Sequence, residues 1–370
     1  MTDEPKRDLR AEKRFWRREV SATDKKRGES KVDKLLEWPL RISFFLLTFI
    51  FNAIPLAIGM EIGAVVGTLG YYVSPGRRRI ALENLLLALG HSVPLKERKR
   101  IARASFANFG RVGVEFIRFP KNTKERLAKH VKICGEENFA YTASLGKGNL
   151  ALSAHLGNFE LIAATGNLMG LGKNHLMGRK IKPPEVDRFV SGLRKGCGVD
   201  TIPSKGGIRT VLRKLRSKEG VGVVLDQNMR RGIGIFVNFF GVAASTTPAL
   251  ALMAIRRKVP ILPVFMIRCG QTSKHHMIFL PQIPTYESGD REKDTLINTQ
   301  RMSWVVEEIV RRYPEQWFWF HRRWRCRPPD EEKPSPVKEL EEKPAYFQEI
   351  SDYLDKVGPP QRFNVGRKTC

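Results

Sequence analysis

Apolar residues follow three regimes along the chain. From Ile42 to Val73 nearly every position is apolar, broken by Asn52, Pro55 and Glu61. At ~1.5 Å per helical residue this run is long enough to cross a bilayer, with Ser43 to Met60 as a borderline span. A buried hairpin of two core helices fits the same residues, because Pro55 and Glu61 sit badly inside one continuous span. The next regime has helical spacing, with Ile80, Leu82, Leu85 and Leu86, then Ile101, Phe106, Phe109, Val112 and Phe116, split by the turn-like GHSVP. It predicts two amphipathic helices. Beyond Pro120 short apolar runs alternate with helical patterns. NLALSA (149–154), HLMG (175–178), GVGVVL (220–225) and PILPVFMI (260–267) read as strands, and 158–170, 184–196, 207–217 and 248–257 as helices. The pattern predicts an α/β fold: an open, mainly parallel sheet flanked by helices, preceded by an N-terminal hydrophobic membrane helix.

The polar ends complete the division. Residues 1–38 alternate charges with too few apolar side chains for a core, and 330–370 turn to Glu, Lys and Pro after Pro328-Pro329. This gives a charged arm over 1–38, an anchoring segment over 39–76, one folded domain over 77–329 and a loosely held charged tail over 330–370. The hydrophobic stretch starts too late, and lacks the small-residue pattern, for a cleaved signal peptide.

Net charge changes the picture. The 370 residues carry a formal charge of +27, and the two charged ends nearly cancel, so the excess belongs to the folded part. Such a surface calls for an anionic, phosphate-rich partner. Arg77, Arg78 and Arg79 follow the apolar run directly, as at cytoplasmic headgroups, although positive charge also precedes it. The cysteines, Cys134, Cys197, Cys269, Cys326 and Cys370, form no CxxC pair, which fits a reducing compartment. No HExxH, G-x-S-x-G or P-loop pattern occurs, and Gly146-Lys147-Gly148 is not one; no metal or nucleotide cofactor is indicated.

The candidate chemistry lies at SAHLGNFE. The strand NLALSA runs into His155, Leu156-Gly157 forms a turn, and Asn158 is a good N-cap for the helix that Phe159 and Glu160 begin. On a continuous helix a separation of five residues points side chains about 140° apart. With a tight turn at Gly157, Glu160 can reach one imidazole nitrogen, fix the tautomer and leave the other nitrogen as a base. The alternative is a capping carboxylate beside a strand-end histidine. Asp226-Gln227 falls just after GVGVVL, where an open α/β sheet places ligands; Asp226 as a turn cap reads equally well. Arg179, Lys180, Lys205, Arg209, Arg230 and Arg231 add cations near the same sheet edge and suit phosphates, or a plain solvated face. In WFWFHRRWR (317–325) indoles and guanidiniums interleave. That block suits a headgroup layer with Arg322 and Arg323 on phosphates, stacking on nucleic acid, or an aromatic core with exposed arginines.

HLGNFE resembles the H-x4-D/E signature of glycerolipid acyltransferases and is similar to the HLGNWE version in the lipid A late acyltransferase family, with Phe159 where Trp is more usual. Further blocks over roughly 42–328 resemble that family in order: RRRIALENLLLALG and GVEFIR, then DQNMRRGIGIFVNFFGVAASTTPALALMA, then YPEQWFWFHRRWRCRP. The resemblance implies that 77–329 is an acyltransferase domain, with His155, Glu160 and Asp226 functionally required and Arg194 of GLRKGCG as the family's important arginine. It implies acyl transfer from an acyl carrier protein or acyl-CoA to a hydroxyl of a lipid A precursor. Backbone amides near Gly157 or an arginine would steady the oxyanion, and Gly157, Asn158, Arg179, Lys205, Gln227, Arg322 and Arg323 would contact substrate. A bacterial inner-membrane protein follows, its catalytic domain on the cytoplasmic face of an anionic membrane, with no nucleic acid partner expected. Transfer to another membrane lipid, or a non-catalytic basic membrane-surface protein, are the competing readings.

Overall fold

The computed structural model describes residues 31–328 and 343–358. The apolar run forms two helices, α1 (Lys31–Ala53) and α2 (Leu56–Val73), broken where Pro55 ends the first. Both are long and apolar enough to cross a membrane. The amphipathic stretch follows as α3 (Pro75–Leu89) and α4 (Leu95–Ile117). α2 lies directly against α4 through glycines: a Cβ on Gly110 would meet the Gly63 carbonyl oxygen at 1.9 Å, and one on Gly67 would meet that of Phe106 at 2.1 Å. Only bare backbones approach so closely. Its other face, with Ile58, Ile62, Val65, Val66, Leu69 and Val73, is exposed.

After α5 (Lys124–His130) the α/β part comprises β1 (Val131–Cys134), α6 (Glu136–Ser144), β2 (Asn149–Ser153), α7 (Leu161–Leu168), β3 (Asn174–Gly178), α8 (Pro184–Gly196), β4 (Thr201–Pro203), α9 (Ile208–Arg216) and β5 (Gly220–Val224). A hairpin, β6 (Ile235–Phe239) and β7 (Val242–Thr246), precedes α10 (Ala249–Arg257), β8 (Ile261–Arg268), β9 (His275–Phe279) and α11 (Arg291–Arg312). The main sheet has seven strands in the order β1-β9-β8-β2-β5-β3-β4. Every pairing is parallel except β8 with β9. The expected α/β architecture, a mostly parallel open sheet with flanking helices, is therefore present. Strands β2, β3, β5 and β8 correspond to the four apolar runs, whereas β1, β4, β6, β7 and β9 carried no clear run.

Two segments differ from the sequence reading. Within the stretch read as a loose tail, α12 (Tyr346–Val357) buries Phe347, Ile350 and Leu354 in the main core. Those three positions make one helical stripe that the surrounding Glu, Lys and Pro concealed. In the charged arm, residues 31–38 already belong to α1, and 1–30 lie outside the described residues. Trp317, Trp319 and Trp324 belong to the core beside Phe239, with Trp319 fully buried, so this aromatic block is no headgroup-facing surface.

Candidate active site

β2 and β5 are neighbours, and their parallel register pairs Ser153 with Val224. Carried two residues past the strand ends, the same register sets His155 beside Asp226. Neighbouring strands lie about 4.8 Å apart, so two side chains here can bond directly. The Asp226 carboxylate receives His155 Nδ1 on Oδ1 at 2.8 Å, and the His155 backbone N–H on Oδ2 at 2.8 Å. The Trp317 indole N–H also donates to Oδ2, at 2.7 Å. Burial alone would raise this acid. The charge and hydrogen bond of His155, with the Trp317 and backbone donors, outweigh it and hold the carboxyl down to about 2. Burial likewise opposes charge on His155, but the Asp226 charge and hydrogen bond win and its pKa is raised. Asp226 accepts from Nδ1, so Nε2 is the nitrogen left to act as a base. It lies 3.2 Å from Gln227 Nε2, and the edge of the ring packs on Phe159 at 4.8 Å between centroids.

Glu160 is not the residue that orients His155. Its carboxylate takes a bidentate pair from Arg194 of α8, Nε at 3.0 Å and Nη2 at 2.7 Å. The turn at Gly157 is tight, as expected, with φ of +60°. It aims Glu160 toward α8, where a planar guanidinium matches both oxygens, while the neighbouring strand end supplies the histidine with its partner. Glu160 still acts on the ring at a distance, its charge adding to the raised pKa.

The turn is fixed by backbone hydrogen bonds to neighbouring segments. Gly157 N–H donates to Gln316 O at 3.1 Å, Asn158 N–H to Met266 O at 3.0 Å, and His155 O accepts from Phe318 N–H at 3.1 Å. The amides of Gly157 and Asn158 are therefore committed and are not free oxyanion donors. Gly157 is required by space as well as by φ, because a Cβ there would meet Met266 O at 1.8 Å. The buried Asn158 side chain donates to Glu115 Oε2 at 2.7 Å, and Glu115 in turn pairs with Arg268 Nη2 at 2.6 Å. Arg268 also donates through Nε to Asn108 Oδ1, and exchanges backbone bonds with the Gln316 side chain at 2.9 Å in each direction. Sequence reasoning missed Glu115, Arg268, Asn108, Gln316 and Trp317 as supports of the turn. The available signal for Glu115, Gln316 and Trp317 was their position inside the GVEFIR and YPEQW blocks; Asn108 and Arg268 lie outside both.

The other expected contacts divide. Arg179 and Lys205 are exposed just past the ends of β3 and β4, on the same sheet edge as His155. Gln227 faces Nε2. Arg322 is exposed, but Arg323 is buried and donates to Ser245 O at 2.8 Å and Thr246 Oγ1 at 2.6 Å. Arg323 thus ties the end of β7 to the aromatic core rather than meeting substrate. A cavity of about 400 Å³ lies behind the turn, lined by Asn108, Arg111, Arg268 and Gln316 with Val65 and Leu69; His155 does not line it. No group of three or more His, Cys, Asp or Glu side chains that could hold a metal ion occurs among the described residues.

A histidine with a dedicated carboxylate and one outward nitrogen, at the carboxyl edge of a parallel sheet, is the equipment of a general base. The family described as bacterial lipid A biosynthesis acyltransferase matches residues 26–326. The chain belongs to this family. This acyltransferase is 22% identical over 277 residues to the lipid A biosynthesis palmitoleoyltransferase of Escherichia coli (strain K12), covering 74% of this chain and 87% of the relative. It is 23% identical over 281 residues to the lipid A biosynthesis lauroyltransferase of the same organism, covering 74% and 88%. A lipid A biosynthesis acyltransferase of Haemophilus influenzae is 25% identical over 291 residues, covering 76% and 88%. Acyl transfer in lipid A biosynthesis is the activity that this membership carries.

Proposed function

We propose that the enzyme transfers a fatty acyl group from an acyl thioester, on acyl carrier protein or coenzyme A, to a hydroxyl of a lipid A precursor. The observation that carries the chemistry is the His155–Asp226 pair. Asp226 holds Nδ1–H, so Nε2 accepts the acceptor hydroxyl's proton as its oxygen attacks the thioester carbonyl carbon. The tetrahedral intermediate collapses, the C–S bond breaks, and the thiolate leaves with the proton from Nε2–H. No covalent acyl-enzyme is needed. Arg194, held by Glu160, and the exposed Arg179 and Lys205 supply positive charge along the sheet edge for phosphates of donor or acceptor.

The names of the relatives support the acceptor. An apolar, exposed α1 and half-exposed α2, followed by Arg77, Arg78 and Arg79, support association with a membrane whose anionic cytoplasmic face meets the catalytic domain. The high positive charge supports an acidic carrier protein or a phosphorylated donor.

Purified full-length protein, incubated with a tetra-acylated lipid A precursor or with phospholipid acceptors and a panel of acyl-carrier and acyl-CoA donors, tests this reading by mass spectrometry. The expected product is the lipid A precursor heavier by one acyl chain, absent with His155→Ala. Acylation of phospholipid alone, or an active His155→Ala enzyme, would overturn it.

A further inference from the structure

The committed amides of Gly157 and Asn158 leave open which group stabilises the oxyanion, and the residue after Asp226 offers an answer. Gln227 directs its side-chain Nε2 at His155 Nε2, 3.2 Å away. Asp226 is ionised and only accepts, so Nδ1 bears the proton of the neutral ring and His155 Nε2 bears the lone pair. The group facing that lone pair must donate, which fixes the Gln227 amide with its NH2 toward the ring. The main chain around Gln227 is firmly placed. Gln227 O accepts from Arg323 Nη1 at 3.4 Å, Asn228 N–H donates to His321 Nε2 at 3.1 Å, and Asn228 Oδ1 accepts from Cys326 N–H at 3.0 Å. The side chain itself is only partly buried.

We propose that Gln227 is a catalytic residue, whose NH2 occupies the lone pair of the base, yields it to the incoming hydroxyl, and then donates to the oxyanion of the tetrahedral intermediate. The inference rests on the acyl-transfer reading given above. An acceptor hydroxyl that bonds to His155 Nε2 must take the position the amide holds. The displaced NH2 keeps both its protons and stays beside the base, next to which the attacked carbonyl must lie. Oxyanion donors of this kind contribute roughly 10²–10³-fold to turnover. No proton leaves Gln227 at any stage, since the hydroxyl proton passes to His155 and then to the thiolate.

The test uses the full-length enzyme with Gln227→Leu, which keeps the bulk and removes the donor, and Gln227→Glu, which sets a carboxylate against Nε2. Gln227→Leu is expected to lower kcat about 100-fold or more while KM for the lipid acceptor changes less than about threefold. Gln227→Glu is expected to stabilise the charged ring and move the His155 titration, followed by NMR of labelled histidine, upward by about one pH unit or more. Melting temperatures near that of the parent establish that both variants fold. Parent-like kcat in Gln227→Leu, a rise confined to KM, or an unmoved titration in Gln227→Glu would each overturn the inference while leaving acyl transfer by the parent enzyme intact. A parent enzyme that acylates no lipid overturns the reading beneath it, and the oxyanion role with it, whatever the titration does.

Discussion

His155 lies 2.8 Å from Asp226 and His275 lies 3.6 Å from Glu115, yet the two buried pairs make opposite kinds of histidine. The His155 pKa is raised, whereas that of His275 is lowered to about 4. Burial pushes both rings toward the neutral form, so the neighbours decide the difference. Asp226 spends its hydrogen bonds on His155 and Trp317, with no lysine or arginine bonded to it among the described residues. Glu115 is claimed by Arg268, whose guanidinium also repels a charged His275. A carboxylate makes a basic histidine only if no stronger cation has taken it. The first region is built to move a proton; the second is a clamp that joins α4, β8 and the catalytic turn.

Asp226→Asn tests the first region with the largest expected effect. The amide keeps the volume but loses the charge that stabilises the imidazolium and selects the tautomer. Turnover is expected to fall on the order of 10³–10⁴-fold, equivalent to about 4–5 kcal/mol in the barrier. Steady-state kinetics on a variant with a parent-like melting curve measure it. Retention of a tenth of the activity would mean that the pair is structural.

In the second region Arg268→Met breaks the clamp. Removing one partner of a buried ion pair costs roughly 3–5 kcal/mol, read as a lower denaturation midpoint with an unchanged slope. With the guanidinium gone, Glu115 is released to His275, and the His275 titration is expected to rise from about 4. A stable variant whose His275 still titrates at its former value would break the comparison, because burial alone would then explain the low value.

pH sharpens the contrast more gently. His155 must be neutral to act, and its pKa is raised, so the acidic limb of kcat/KM is expected above the ordinary imidazole value of about 6.5. In the folded state His155 holds its proton more tightly than in the unfolded chain. Its stabilising contribution is complete below about pH 6.5 and is lost as pH rises through the folded value. Asp226 works in the other sense, contributing above its unfolded value and losing that contribution as pH falls toward about 2. An acidic limb at or below the ordinary imidazole value would remove the case for a charge-stabilised base.

Much of this site was legible, but only to the limit of local information. NLALSA and GVGVVL read as strands, and the residues just beyond them, His155 and Asp226, were placed at the carboxyl edge where open sheets bind ligands. The pairing between them depends on β2 lying next to β5, a contact across 71 residues that no spacing rule contains. Glu160 was nearer in sequence and took the role on that basis, while the guanidinium that claims it comes from α8. The aromatic block stayed open between surface and core for a related reason. Alternating Trp, Phe and Arg is the same string on a surface or in a core. The burial of Arg323 is matched by acceptors distant in sequence, Ser245 O, Thr246 Oγ1 and Gln227 O. Short strands such as VKIC and HHMIF carry too few apolar positions to announce themselves.

His275→Leu is the smallest perturbation and the one that separates the two regions most cleanly. The ring is buried and neutral near pH 7, so a hydrophobic residue of similar size is expected to change stability there by no more than about 1.5 kcal/mol. Its effect belongs to acid conditions. Between about pH 6.5 and about 4 the unfolded chain binds a proton at this position that the folded chain refuses, so stability rises with pH across that window. Leucine removes this titration, and the stability of the variant is expected to vary less with pH there. Chemical denaturation at pH 5 and pH 7.5 measures the difference. The acidic limb of kcat/KM should stay where the parent has it, because that limb belongs to His155. A limb that moved with His275→Leu would mean that the clamp and the base titrate as one system, communicating through Glu115 and Asn158.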